Sequence, residues 1–260
     1  MRVRILGCGG SGGVPTIGGD WGACDPTEPK NRRRRVSILV EEGATAILVD
    51  TSPDLREQLL DAGTQRLDAV LFTHAHADHL HGIDDLRGMN RLMRQPIPVY
   101  GDPATLQQIE RRFGYVFAPL EFGNSFYKPT LTPHAITGPF EIAGVKIVPF
   151  EQDHGFSKTL GLRIGAMAYS TDVVGLDDAA FAVLGGLDLW IVDCLRYEPH
   201  PTHSHLARTL EWIARAKPRR AVLTHMDPGF DYETLRRELP AGVEPGYDGM
   251  VIELGRSGSR

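Results

Sequence analysis

Cysteine is scarce in this chain: Cys8, Cys24 and Cys194 are its three thiols in 260 residues. An odd, widely spaced set excludes a disulfide framework and favours a reducing compartment, so a cytoplasmic location is expected. Long apolar runs are lacking too. No stretch approaches the length needed to cross a bilayer, and Met1-Arg2-Val3-Arg4 leads straight into a strand pattern without a signal-peptide profile. No membrane partner is therefore expected. Nor does one sign of charge dominate. The net charge of −5 gives no general attraction to nucleic acid, and no stable nucleic-acid partner is expected. The one basic run, Arg32-Arg33-Arg34-Arg35, reads as a solvated loop. Repeats, low-complexity tracts and dividing linkers are missing, so residues 1–260 read as a single domain long enough to bury a core.

What the chain does have is a dense cluster of metal-ligating residues. His74-Ala75-His76-Ala77-Asp78-His79 puts four potential ligands into six residues. It follows Ala69-Val70-Leu71-Phe72, an apolar run that reads as a short buried strand ending at Thr73. Side chains on a loop leaving a strand can converge from several directions, which suits a pair of cations. Two metals need further ligands and an open position for substrate. The same strand-end placement recurs. His154 follows Val145–Phe150, Asp172 follows Met167–Thr171, and His225 follows Ala221–Thr224.

Short strands alternate with helices in two rounds. Strands are predicted near 2–6, 36–40, 45–50 and 68–72, with a helix near 53–62 and another starting after the histidine motif. A strand at 97–100 and a helix at 103–113 follow. The second half gives strands near 145–150, 160–164, 166–170, 187–193 and 220–224, with helices near 204–216 and 231–238. Apolar strands of this kind are buried on both faces when helices cover two packed sheets.

HxHxDH followed by a later His, an Asp and a last His resembles the pattern of the metallo-β-lactamase-fold hydrolases. Within that superfamily the likeness is greatest to the phosphoribosyl 1,2-cyclic phosphate phosphodiesterases. It rests on the opening Leu6-Gly7-Cys8-Gly9-Gly10-Ser11-Gly12-Gly13-Val14-Pro15, on His203 upstream of His225, and on the ending Gly246-Tyr247-Asp248-Gly249-Met250. The resemblance implies an α/β fold, the four-layer αββα sandwich of the metallo-β-lactamase type, over one hydrolase domain. It implies two divalent transition metals, zinc or manganese. His74, His76 and His154 would hold one, Asp78, His79 and His225 the other, and Asp172 would bridge them. Asp50 would be the partner behind a ligand His. The resembled phosphodiesterases carry a cysteine cluster for a structural zinc around Cys24, whereas Asp20–Asp25 keeps one thiol here.

Five neutral imidazoles and two carboxylates around two divalent ions leave a site of roughly +2, suited to a phosphodiester and its more highly charged transition state. The expected function is a phosphodiesterase acting on small cyclic ribose phosphates or nucleotide-like diesters. A metal-activated hydroxide attacks, Asp78 takes part at the reacting centre, and His203 serves as general acid for the leaving oxygen. The expected partner is thus a small phosphorylated substrate, and a homodimer is compatible with the chain. Other readings weighed are a glyoxalase II-like thioesterase, a ribonuclease Z-like nuclease, a pyrroloquinoline-quinone pathway protein and a metal-stabilised binding or sensing module. Ribonuclease Z carries a tRNA-gripping arm between the third ligand His and the bridging Asp, and residues 155–171 are too few for one.

Overall fold

The computed structural model describes residues 1–121 and 125–255. Two seven-stranded sheets pack face to face with helices outside. In the first sheet the order is β14 (Val251–Glu253), β1 (Arg2–Gly7), β2 (Ser37–Glu42), β3 (Thr45–Val49), β4 (Ala69–Leu71), β5 (Ile97–Gly101) and β6 (Leu131–Ala135). In the second it is β13 (Val243–Pro245), β12 (Ala221–Thr224), β11 (Leu189–Asp193), β10 (Met167–Ser170), β9 (Lys158–Ile164), β8 (Val145–Asp153) and β7 (Phe140–Ile142). Each sheet joins an antiparallel half to a parallel half. β3 to β6 run parallel, as do β10 to β13. This is the αββα sandwich expected from the sequence.

The inner parallel strands are the apolar runs, because both of their faces are covered. β3, β4, β10, β11 and β12 are buried at every position. One core lies between the sheets, with Ile38, Val49, Leu162, Tyr169 and Val222 in it. A second lies between the first sheet and the helices α1 (Leu55–Ala62), α3 (Leu86–Met93) and α4 (Pro103–Phe113). The α4 start was legible: Asp102 accepts from the Thr105 N–H, and Pro103 occupies the first turn, where its missing N–H costs nothing.

Sequence patterning did not foresee β6, β7, β13, β14 or α5 (Asp178–Val183). Pro133 lies inside β6, and proline is tolerated there only because β6 is an edge strand. The basic run also departs from expectation. Arg33 is buried and donates to the carbonyls of Phe230 and Asp227, while Arg34 pairs with Asp61 and Arg35 with Asp54. It ties loops together and is no solvated loop. No helix of the described residues is long and apolar enough to cross a membrane.

Candidate metal centre

The C-terminal ends of the parallel strands from both sheets meet along one edge. β3 delivers Asp50, β4 delivers Thr73 and His74, β10 leads to Asp172, β11 ends on Asp193, and β12 leads to His225. His76 stands at the N-terminal boundary of the short helix α2 (Ala77–Leu80), which carries Asp78 and His79. His154 comes from the β8–β9 turn, and His203 from the loop before α6 (Leu206–Ala216). Asp50, Asp172 and His225 all have left-handed backbones, with φ of 62, 53 and 60°. Such a conformation costs roughly 1–3 kcal/mol per residue and persists at sites where the surroundings impose it. It turns each chain sharply out of its strand and throws the side chain across the sheet edge.

Asp172 sits at the centre. Its Oδ2 faces His74 Nε2 at 3.6 Å, His154 Nε2 at 3.7 Å and His203 Nε2 at 3.8 Å. Its Oδ1 faces His79 Nε2 at 3.0 Å and His225 Nε2 at 3.4 Å. Asp78 Oδ2 lies 3.3 Å from His79 Nε2 and 3.4 Å from His225 Nε2. His74, His76, His154 and Asp172 therefore form one group of converging ligand atoms, and Asp78, His79 and His225 another. The structure brings together all seven residues that the sequence pattern marked as ligands.

The donor set fits divalent cations. The buried Nε2 atom of His74 has no hydrogen-bond partner among the described residues. Most separations across the cluster exceed a hydrogen bond. They match instead neighbouring ligands on one tetrahedral ion, about 3.4 Å apart for bonds of about 2.1 Å.

Hydrogen bonds behind the rings fix which nitrogen faces inward. The Thr73 hydroxyl donates to Asp50 Oδ2 at 2.8 Å, so its oxygen accepts from His74 Nδ1 at 3.0 Å. His79 Nδ1 reaches Asp50 Oδ2 at 2.8 Å, and His154 Nδ1 donates to the Thr202 carbonyl at 2.7 Å. Each leaves Nε2 bare toward the cluster, the arrangement that orients and strengthens imidazole ligands. Asp50 thus stands behind two of the histidines, where one was expected.

Charge is balanced within the cluster. Burial, reinforced by His79, holds His74 well below the usual imidazole range, and burial lowers His76 and His154. Burial opposes charge on His79 as well, but Asp172, Asp78 and Asp50 outweigh it and raise this ring. Burial likewise opposes His225, yet Asp172 and Asp78 push it up to about 9. Against their own burial, Asp172 is held low chiefly by His225 and Asp78 chiefly by His79. Divalent ions bind neutral imidazole nitrogens, so metal binding here would compete with protons on His79 and His225.

One functional side chain escaped the sequence reading. Asp193 is fully buried, its Oδ2 3.3 Å from His203 Nδ1 and accepting from the N–H of Ser204 and of Val173. The available signal was its place at the end of Leu189–Asp193, the strand-end position shared by the ligands. His203 itself stacks on His225 and turns Nε2 toward Asp172. His205 instead stands at the start of α6, and His200 bonds with Thr202. The glycine loop reaches the centre, with Gly10 against His225 and Ser11 lining the cavity.

The profile of the beta-lactamase superfamily domain matches residues 45–226, a span that begins at β3 and ends just after His225. The chain belongs to the beta-lactamase superfamily. A diphosphatase of the PhnP family superposes on this superfamily member with a TM-score of 0.89 at 34% identity, covering 98% of both chains. An octanoyltransferase of Porphyromonas gingivalis is 33% identical over all of this chain. The chain spans about half of that relative, 53% of its length. Coenzyme PQQ synthesis protein B of Cupriavidus necator is 26% identical over 97% of this chain and 99% of its own.

Proposed function

We propose that the chain is a metal-dependent hydrolase of small phosphodiesters, cyclic ribose phosphates or nucleotide-like diesters. The observation that carries this reading is Asp172, each of whose oxygens faces a separate set of histidines. Likeness to a diphosphatase supports it. Two cations, zinc or manganese, would be held by His74, His76 and His154 on one side and Asp78, His79 and His225 on the other, with Asp172 shared. Such ions supply positive charge for the phosphate oxygens and lower the pKa of water to about 7.

The remaining work falls to the chain's own groups. Five imidazoles and two carboxylates leave the loaded site positive, which draws in a phosphodiester anion and stabilises its more highly charged transition state. Asp78, beside both His79 and His225, orients the attacking water. The leaving alkoxide needs a proton, and His203 is placed to give it. Asp193 holds Nδ1, which directs Nε2 into a cavity of about 440 Å³ shared with His76, His154 and His225. Ser11, Ser157 and Thr202 are also among the lining residues.

The test is a substrate panel with metal-defined protein. Bis(p-nitrophenyl) phosphate and a cyclic ribose phosphate should turn over far faster than nitrocefin or S-lactoylglutathione. Elemental analysis should approach two ions per chain. A preference for the thioester would overturn the reading, and a single ion would remove the two-metal arrangement.

A further inference from the structure

Phe156 is 93% exposed, the most exposed aromatic side chain among the described residues. It is also no ordinary surface residue, because it lines the same cavity as His76, Asp78, His154, Asp172, His203 and His225. The turn that carries it, between β8 and β9, is rigidly set. The His154 N–H donates to the Ser157 carbonyl, the Phe156 N–H to the His154 carbonyl, and the Gly155 N–H to Asp153 Oδ1. Gly155 has φ +73°, and a Cβ there would lie 2.7 Å from the Pro201 carbonyl oxygen. His154 Nδ1 anchors the turn to Thr202 from the other side. Tips of tight hairpins are usually polar or glycine. Here one carries a large ring in water beside a candidate metal ligand.

We propose that Phe156 is a specificity-determining residue, a face on which the substrate's non-reacting group stacks while its phosphate lies against the histidine–aspartate cluster. This rests on the phosphodiester reading and narrows it to substrates with a planar aromatic ring, a nucleobase being the natural case. The rest of the lining agrees. Ser11, Ser157 and Thr202 are polar, and Phe156 is the one apolar side chain of the lining among the described residues, so there is no continuous apolar wall for an acyl chain. A cavity of about 440 Å³ has the size of a small-ligand site. One exposed phenyl ring suffices for sequence-tolerant stacking, since every base has a π-face.

Two probes that differ in the base isolate the effect: AMP and ribose 5-phosphate. Their affinities for the full zinc-loaded chain are measured by calorimetry for wild type, Phe156→Ala and Phe156→Trp. Wild type should prefer AMP. Phe156→Ala should weaken AMP by about 5- to 100-fold, the range of one lost base–aromatic stack, and leave ribose 5-phosphate within about twofold. Phe156→Trp should restore AMP. In turnover the same loss should fall on KM for a nucleoside diester, with kcat kept. Equal weakening of both probes overturns the proposal, as does unchanged AMP affinity. So does a changed oligomeric state with unchanged affinity, which would make Phe156 a contact between copies. Diester hydrolysis by wild type without a preference for AMP sinks the stacking and spares the phosphodiester reading. Preference for AMP without diester hydrolysis does the reverse.

Discussion

Single side chains divide the site into groups that hold charge and groups that move protons. His203 belongs to the second kind. Its ring reaches Asp172 only at 3.8 Å, while its other nitrogen rests on buried Asp193. His203→Ala should therefore keep its metals and fold while losing about 10²–10⁴ in rate on cyclic sugar phosphates, the usual range for general acid–base help. The loss should shrink for p-nitrophenyl esters, whose leaving groups need no proton. If metal content falls with activity, His203 is a ligand and the acid must be sought elsewhere. His205→Ala, at the start of α6, should be far milder. Sequence alone pointed to His203 through the resemblance. What it did not indicate is why that ring is competent: Asp193 lies ten residues upstream on a different element, and spacing along the chain carries no sign of their contact.

Among the elements, the β8–β9 turn carries both His154 and Phe156. β8 and β9 were both anticipated from their apolar alternation, and His154 was expected at the end of the first. The direction of the turn was not legible, because it depends on Gly155 pressing against the 200–203 segment. Gly155→Ala adds a Cβ at a positive φ and 2.7 Å from a carbonyl oxygen, so the turn must move. A destabilisation of about 1–3 kcal/mol is expected from the backbone strain. Because His154 is one residue away, affinity for the ion shared with His74 and His76 should drop as well. Denaturant midpoints and competitive zinc titrations read the two effects separately. Wild-type zinc affinity in this variant would show that the turn does not position His154.

At the scale of the whole molecule, the two ends of the chain are tied by Asp248. Its carboxylate accepts from the N–H of Cys8 and of Arg34, and it faces the Cys8 thiol and the Arg34 guanidinium, which is itself paired with Asp61. Burial pushes this carboxyl up to about 7 in spite of those partners. A folded-state value above the unfolded one means that the folded chain binds the extra proton. The stability contributed is therefore complete below the unfolded pKa of about 4 and disappears as pH rises through about 7. Asp248→Asn removes the titration. Urea unfolding of wild type relative to this variant should show wild type losing ground from pH 5 to pH 8. A difference independent of pH would mean that the carboxylate stays charged throughout.

What the sequence determined by itself was the material of the site and the class of the fold. HxHxDH, the later His, Asp and His, and the buried apolar runs that precede them can be read directly. Each is local: ligand chemistry belongs to residue type, and strand character to a few consecutive side chains. The tertiary structure decided what depends on distant residues meeting. It put the two oxygens of Asp172 between two sets of histidines, turned Asp50, Asp172 and His225 out of their strands through left-handed backbones, and buried Asp193 behind His203. It also drew Arg33 into the interior, against the expectation of a solvated loop. The physical reason is the same throughout. Strained dihedrals and buried ion contacts are imposed by packing between two sheets, and no window along one strand contains the other.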